Sequence, residues 1–193
     1  MLEIEIKFRV GDLAAVREQL LAAGAVLHIP RLYERNVVYD TADFALRDAQ
    51  KLLRLRQDEQ VRLTVKAPAP TADALSQAKV REEREISVSD FDTAEAILLH
   101  LGFEPKLVYE KYRETFHLNG LEIVLDELPY GYFVELEGDE VAMRPTADLL
   151  GLVWEERLLT NYLALMAHLK ETHHLPFTDI TFANFAAVTH NLW

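Results

Sequence analysis

Five consecutive residues near the start of the chain combine two carboxylates and an ammonium group at alternating positions. Residues 3–7 read Glu-Ile-Glu-Ile-Lys, and this alternation predicts a strand with one charged face. Neighbouring side chains on that face, Glu3, Glu5 and Lys7, lie about 7 Å apart. Adjacent carboxylates repel unless a cation lies between them, and Mg²⁺ favours one or two protein carboxylates together with substrate phosphates. The strand is either one wall of a metal site or a solvated face with incidental charges.

Six further segments of the chain alternate in the same way, and the charged face of each carries mostly one sign. The acidic faces hold Glu83 and Glu85, Glu122 and Asp126, and Glu135 and Glu137. The basic faces hold Arg54 and Arg56, Arg62 and Lys66, and Lys111 and Arg113. Like charges directly opposite each other destabilise a sheet, so a purely solvated face is expected to mix the two signs. Segregation by sign favours an interior site in which basic strands bind polyphosphate and acidic strands bind metal, although a sheet with its charged face in water remains the alternative.

The elements that position these faces follow one pattern twice, a strand and a helix and then three strands. The first pass predicts strands at 2–10, 31–40, 51–57 and 60–67 and a helix at 12–23. The second pass predicts strands at 81–88, 107–117, 121–127 and 132–137 and a helix at 91–101. Asp12 and either Asp90 or Asp92 are the expected N-caps, and Gly24 and Gly102 the expected stops. Closing eight antiparallel strands into a barrel hides their edges, so we predict an α+β fold with a closed eight-stranded β-barrel and helices outside.

The 193 residues are expected to form a single domain. The barrel should occupy about residues 1–140, and a loop is predicted at 67–73. Residues 146–172 have the apolar spacing of helices that pack outside the barrel. The Phe-rich segment 175–193 is predicted to dock on the domain or on a partner, which makes a homodimer a reasonable expectation.

Composition excludes several classes of protein. A formal net charge of −12 argues against a general nucleic-acid binder. No apolar run is long enough to span a membrane, and no signal-peptide pattern is present. The absence of cysteine excludes disulfides and thiolate metal sites, and it fits a cytoplasmic location. No glycine-rich phosphate loop occurs, so any polyphosphate must be bound by side chains.

A set of short motifs occurs in a fixed order along the chain. They are Glu3-x-Glu5-x-Lys7, Tyr39-Asp40-Thr41, Leu53-Arg54-Leu55-Arg56, Thr64-Val65-Lys66, Glu83-x-Glu85, Lys111-x-Arg113, Asp126 and Glu135-x-Glu137. Over about residues 1–165 this set resembles the CYTH superfamily, the triphosphate tunnel metalloenzymes. The resemblance implies an eight-stranded antiparallel tunnel, a substrate that carries a triphosphate, and dependence on Mg²⁺ or Mn²⁺, with two ions expected.

The resemblance also implies roles for individual residues. The implied phosphate ligands are Lys7, Arg54, Arg56, Lys66, Lys111 and Arg113. The implied ligands of one metal are Glu3, Glu5 and Glu135, and those of a second metal or of the attacking water are Glu85, Asp126 and Glu137.

Within the superfamily, the segments 101–105, 110–114 and 125–129 resemble the class IV adenylyl cyclase group. That resemblance implies conversion of ATP to cyclic AMP and pyrophosphate. The alternative is a triphosphatase that hydrolyses inorganic, thiamine or nucleoside triphosphate, and the sequence leaves the two open because it shows no identifiable adenine pocket. A non-catalytic polyphosphate or nucleotide sensor is a further alternative, but the retention of all six acids argues for catalysis. A purely structural barrel gives no reason for strands segregated by sign.

Overall fold

The computed structural model describes residues 2–70, 76–188 and 192–193, and its centre is a closed ring of eight strands. The strands are β1 Leu2–Val10, β2 Val26–Asp40, β3 Leu52–Gln57, β4 Val61–Pro68, β5 Lys79–Val88, β6 Glu104–Leu118, β7 Leu121–Leu128 and β8 Gly131–Glu137. Around the ring they follow the order β1-β5-β4-β3-β2-β6-β7-β8, and β8 pairs with β1 to close it. Every neighbouring pair is antiparallel. The predicted closed antiparallel barrel is therefore confirmed.

Helices surround this ring. They are α1 Leu13–Ala22, α2 Ala45–Asp48, α3 Phe91–His100, α4 Glu140–Leu149, α5 Tyr162–His173 and α6 Phe182–Phe185, with one 3₁₀ turn at Trp154–Glu156. The Asp12 side chain accepts a hydrogen bond from the backbone of Ala14, and Asp90 accepts one from Thr93, so Asp90 and not Asp92 caps α3. Gly24 and Gly102 follow α1 and α3 with φ of 83° and 87°, a conformation in which glycine readily ends a helix. None of the described helices is both long and apolar enough to cross a lipid bilayer.

The structure differs from the predicted elements in three places. Strands β2 and β6 begin several residues earlier than expected, at Val26 and Glu104. The short helix α2 was not predicted, and its backbone N–H groups at Leu46 and Arg47 are held by the Asp40 carboxylate. The predicted helical stretch 146–172 is two helices separated by residues 150–161. Gly151 takes a φ of 64° after α4, and Asn161 caps α5.

The outward faces of β1, β7 and β8 carry the main hydrophobic core. Ile6, Phe8 and Leu136 pack with Leu20 of α1 and Met143 of α4, and these side chains are almost completely buried. Burying each large apolar side chain of this kind contributes about 1.5–3 kcal/mol. Because neighbouring residues of a strand point to opposite faces, this core fixes the charged residues of the same strands on the inside of the ring.

One end of the ring is covered by α5 and the C-terminal segment. Leu128 and Phe133, which share the inward face with the charged residues of β7 and β8, pack against Leu165 and Leu169 of α5. Ile180 forms backbone hydrogen bonds with residues 108 and 110 of β6 and extends the sheet locally. The Trp193 indole N–H donates to the Tyr130 carbonyl at 2.6 Å. The tail therefore packs on the domain itself. Residues 71–73 of the predicted loop and residues 189–191 of the tail lie outside the described residues, and the homodimer stays a prediction.

Candidate active site

The charged faces of the strands lie inside the ring and are largely withdrawn from water. Asp126 is 0 % exposed, Lys7 and Lys111 are each 2 % exposed, and Glu135 is 6 % exposed. Charged side chains are rarely buried to this degree unless they are paired or bind a ligand. This burial contradicts the alternative of a sheet that turns its charged face to water and supports a charged tunnel.

Three carboxylates lie side by side across the strands β1, β8 and β7. Glu5 is directly opposite Glu137, and Glu137 is directly opposite Glu122. We call Glu5, Glu137 and Glu122 the acid row. Burial, together with the negative charges of Glu3 and Glu122, raises the pKa of Glu137 to about 7. The acid row is thus a place where a cation would relieve repulsion between like charges.

Lysine side chains contact the acids of β1 and β8. Lys7 Nζ lies 2.7 Å from Glu135 Oε1 and 3.9 Å from Glu5 Oε1. Lys66 forms an ion pair with Glu3 and lies 3.1 Å from Glu83 Oε2. The inward-facing Lys79 pairs with Glu5. Each of these ammonium groups supplies positive charge beside a carboxylate that a metal could otherwise use.

A second group of charges lies on β2, β3 and β6 around the carboxylate of Glu34. Its Oε1 is 3.5 Å from Arg56 Nη1 and 4.0 Å from Arg113 Nε, and its Oε2 is 3.6 Å from Lys111 Nζ. We call Arg56, Lys111 and Arg113 the cation cluster. Burial works to raise the pKa of Glu34, but the positive charges of Lys111, Arg113 and Arg56 outweigh it and lower the pKa to about 2. Glu34 is therefore an ionised counter-ion shared by three candidate phosphate ligands.

Two further acids, Asp126 and Glu85, also contact cations of this cluster. Asp126 accepts hydrogen bonds from Lys111 at 3.0 Å and from Arg113 at 2.6 Å, and it accepts a third from the Tyr162 hydroxyl of α5 at 2.9 Å. Glu85 accepts a hydrogen bond from Thr64 at 2.7 Å and lies 3.7 Å from Arg54 Nη2 and 3.6 Å from Arg56 Nη2. A triphosphate that binds these cations must exchange with carboxylates that already contact them.

The structure groups the predicted metal ligands differently from the sequence-based assignment. Glu3, Glu5 and Glu135 lie on the neighbouring strands β1 and β8 as expected. Of the second predicted set, Glu137 belongs to the acid row, whereas Asp126 and Glu85 each lie among cations on other strands. The assignment of these six acids to metal binding stays a prediction.

Several interior residues were missed by the sequence-based reasoning. They are Glu34, Asn36, Lys79 and Tyr162. Glu34 and Asn36 share a face of the predicted strand 31–40, so the alternation of that strand was the available signal. Asn36 is 0 % exposed, and its side-chain amide has no hydrogen-bond partner within residues 2–70, 76–188 and 192–193. In register, Asn36 lies between Arg56 of β3 and Tyr109 of β6.

The residues present fit a divalent cation in their chemistry. Carboxylate oxygens are the ligands that Mg²⁺ prefers, and the buried Glu3 Oε2 lacks a hydrogen-bond partner among the described residues. Within that same part of the chain, no three His, Cys, Asp or Glu residues already converge as a metal site. A cation with one or two protein carboxylates, completed by substrate phosphates, matches both observations.

A family model described as the CYTH domain matches residues 1–144, which include all eight strands. The chain belongs to the CYTH family. CYTH proteins are metal-dependent triphosphate tunnel enzymes, and the predicted family resemblance is thereby confirmed.

Relatives of this CYTH protein carry names that point to two activities. A Methanocaldococcus jannaschii protein, named as an unverified adenylate cyclase, is 31 % identical over 138 residues, which span 71 % of this chain and 77 % of the relative. The solved structure of a Vibrio parahaemolyticus protein with a similar name has a TM-score of 0.73 at 23 % identity and covers 86 % of this chain and 98 % of its own. A Hippeastrum protein named as an adenylyl cyclase, and reported to have a dominant triphosphatase activity, has a TM-score of 0.59 at 19 % identity over 86 % of this chain and 95 % of its own. At these identities the two structures establish a common fold.

Proposed function

We propose that this CYTH protein is a metal-dependent enzyme that acts on a triphosphate bound inside the ring. The observation that carries the proposal is the pairing of two opposite environments in one interior. The acid row concentrates negative charge that a divalent cation would neutralise, and the cation cluster holds guanidinium and ammonium groups for phosphate oxygens. A polyphosphate with a bound divalent cation carries negative charge that complements the cation cluster and positive charge that complements the acid row.

The side chains of the cation cluster bind and orient the triphosphate. Arg56 and Arg113 can each grip two phosphate oxygens with a planar guanidinium, and Lys111 supplies a single charged donor. Lys7 and Lys66 contact Glu135 and Glu3, and a bound phosphate would offer each ammonium group a second anionic partner. A divalent cation at Glu3, Glu5 and their neighbours would supply Lewis-acid stabilisation of phosphoryl oxygens. Most of the catalytic contribution of the protein is then positioning and electrostatic stabilisation in a site shielded from water.

Hydrolysis of the triphosphate is the reaction that this geometry supports best. It needs a water molecule at the terminal phosphorus and no binding site beyond the charged interior. As water bonds to the terminal phosphorus, the bond from that phosphorus to the bridging oxygen breaks, the diphosphate part of the substrate leaves with the bonding electron pair, and orthophosphate and a proton are released. Inorganic, thiamine and nucleoside triphosphates all present the same reacting group, so each is a candidate substrate.

Adenylyl cyclase activity is the second candidate, and a cavity beside the acid row favours it. In this reaction the ATP 3′-hydroxyl attacks the α-phosphorus and pyrophosphate leaves. The nucleoside then needs a place outside the phosphate site. A cavity of ≈ 500 Å³ lined by Leu2, Ile4, His117, Glu122 and Glu137 has the volume typical of small-ligand sites and lies at the acid row. The names of the archaeal and Vibrio relatives support the same reaction.

Product identification separates these reactions. The protein is incubated with ATP, inorganic triphosphate or thiamine triphosphate and with Mg²⁺ or Mn²⁺, and products are identified by chromatography. Orthophosphate identifies the hydrolase, whereas cyclic AMP and pyrophosphate identify the cyclase. EDTA should abolish either activity. The absence of turnover with all three substrates would contradict the proposed enzyme and favour a non-catalytic sensor.

A further inference from the structure

Lys79 extends the acid row by one strand. It is the first residue of β5, directly opposite Glu5 of β1, and Glu5 in turn faces Glu137. Lys79 Nζ lies 2.5 Å from Glu5 Oε1, and its side chain is 17 % exposed. The order across the four strands β5, β1, β8 and β7 is therefore one ammonium group followed by three carboxylates.

Lys79 differs from the other two lysines that contact these acids. Lys7 and Lys66 are predicted phosphate ligands, so a bound triphosphate offers them new oxygens and draws them away from Glu135 and Glu3. Lys79 has no predicted phosphate role, and in the described part of the chain its ion pair within 4.0 Å is with Glu5. An ammonium group at Glu5 occupies Oε1, one of the two carboxylate oxygens that a divalent cation could use, and it repels the cation by its charge.

We propose that Lys79 is a built-in competitor for the divalent cation at Glu5. It lowers the affinity of the triphosphate-free protein for the ion. This inference rests on the proposed function, because it takes Glu5 as a metal ligand. It adds a residue that sets metal affinity without contacting the reacting phosphate.

Direct measurement of metal binding tests this role without relying on turnover. Mn²⁺ is titrated into triphosphate-free protein, and unbound Mn²⁺ is followed by electron paramagnetic resonance. Lys79→Gln removes the charge and keeps a polar side chain of similar length, so Mn²⁺ affinity should rise about 10- to 100-fold, the range expected for removing one charge-assisted hydrogen bond. Lys79→Arg keeps the positive charge and should stay near the wild-type affinity.

Two controls assign the effect to the pair of Lys79 and Glu5. Lys106→Gln removes a surface lysine that also lies 2.5 Å from an acid, Glu104, and it should leave Mn²⁺ affinity unchanged. Adding Glu5→Gln to Lys79→Gln should abolish the gain, because the freed carboxylate is then absent. Circular dichroism and thermal melts identify any variant that fails to fold, and Lys79→Met supplies a second neutral side chain in that case.

An unchanged or weaker Mn²⁺ affinity in folded Lys79→Gln and Lys79→Met would overturn the inference, as would a gain that survives the loss of Glu5. These outcomes are distinct from failure of the proposed function, which is the absence of triphosphate turnover by the wild-type protein. Wild-type turnover together with an unchanged Mn²⁺ affinity in both neutral variants would leave the enzyme assignment in place and remove the role of Lys79.

Discussion

The acid row and the cation cluster lie in the same ring but differ in how their buried charges are balanced. At the cation cluster, Glu34 is held ionised with its pKa lowered to about 2, and Asp126 and Glu85 complete the neutralisation. At the acid row, three carboxylates lie on neighbouring strands, Lys79 pairs with Glu5, and the pKa of Glu137 is raised to about 7. The cation cluster satisfies its charges internally, whereas the acid row retains repulsion between like charges at Glu137.

This difference indicates how each region meets its ligand. The cation cluster must give up carboxylate partners when phosphate arrives, so binding there is an exchange of one anion for another. At the acid row Glu5 already pairs with Lys79, but burial and nearby carboxylates raise the pKa of Glu137, so a divalent cation beside Glu137 removes a cost already present in the fold. The cation cluster thus offers donors for phosphate oxygens and the acid row offers carboxylates for a divalent cation, which is the physical basis for expecting a metal-bound triphosphate as substrate.

The largest effect is expected from removing a carboxylate of the acid row. Glu5→Gln takes away a predicted metal ligand while keeping the shape of the side chain. Turnover of the triphosphate should fall roughly 100-fold or more, the size typical of losing one preorganised electrostatic group. Steady-state kinetics at several Mn²⁺ concentrations check this result. Glu104→Gln, an exposed acid paired with a surface lysine, is the matched control and should keep full activity. Wild-type turnover by Glu5→Gln would refute the metal assignment on this side of the ring.

Glu34, the shared counter-ion of the cation cluster, is expected to contribute to the free energy of unfolding. Glu34 ionises more readily in the folded protein than in the unfolded chain, where its pKa is near 4.5. Its charge therefore stabilises the fold fully above about pH 4.5, and this contribution is lost as the pH falls towards 2. Glu34→Gln should lower the free energy of unfolding by about 3 kcal/mol at pH 7, given about 1.4 kcal/mol per pKa unit.

Urea unfolding between pH 3 and pH 7 measures this contribution. The gap between the wild type and Glu34→Gln should be widest above pH 5 and should narrow as the pH is lowered. Glu155→Gln, whose side chain is 74 % exposed, serves as the control and should follow the wild type at every pH. A gap that does not change with pH would show that Glu34 acts through packing and not as a counter-ion.

A smaller effect is expected from removing one guanidinium of the cation cluster. Arg56 contacts Glu34, Asp58 and Glu85 only at 3.5–3.6 Å, and its Nε has no hydrogen-bond partner in the described residues. Arg56 is thus the member of the cluster whose shortest ion pair is the longest, since Lys111 and Arg113 lie 3.0 Å and 2.6 Å from Asp126. Arg56→Ala should weaken binding of inorganic triphosphate about 10- to 30-fold, as expected for one charge-assisted hydrogen bond.

Isothermal titration calorimetry with inorganic triphosphate measures that affinity. Arg56→Lys should recover part of it, because an ammonium group keeps the charge but cannot bind two oxygens in the planar manner of arginine. Arg84→Ala, at an outward-facing arginine whose side chain is 79 % exposed, should be neutral. Unaltered triphosphate affinity in Arg56→Ala would count against the cation cluster as the phosphate site.

The sequence predicted the strands and their inward faces because alternation is a local property. Glu3, Glu5 and Lys7 were assigned to one face from two residues of context on either side, and the structure buries all three. The short turn α2 was missed because it depends on Asp40 reaching forward to Leu46 and Arg47, a contact with no periodic pattern. Alternation therefore gives the direction of a side chain but not its partners.

The pairing of distant strands explains most of what could not be predicted. Glu5 meets Glu137 only because β8 closes the ring against β1, and Glu137 was grouped instead with Asp126 and Glu85 from motif order. Tyr162 reaches Asp126 because α5 covers one end of the ring, which depends on packing between residues far apart in sequence. The break at residues 150–161 likewise follows from how α4 and α5 dock separately on the ring.

The smallest effect is expected from Glu137→Gln, which should raise the free energy of unfolding where Glu34→Gln lowers it. Glu137 holds its proton more tightly in the folded protein than in the unfolded chain, so metal-free stability should fall as the pH rises from about 4.5 to 7. Glu137→Gln resembles the neutral acid and should therefore be more stable than the wild type at pH 8, by about 1–2 kcal/mol once the partial exposure of this side chain is allowed for. The two proteins should converge below about pH 4.5. Urea unfolding in EDTA measures the difference.

Added Mg²⁺ should stabilise the wild type more than the variant, because a cation and a neutral amide relieve the same repulsion. Equal stability at pH 8 in EDTA would mean that the acid row carries no stored repulsion and that the contrast with the cation cluster is wrong.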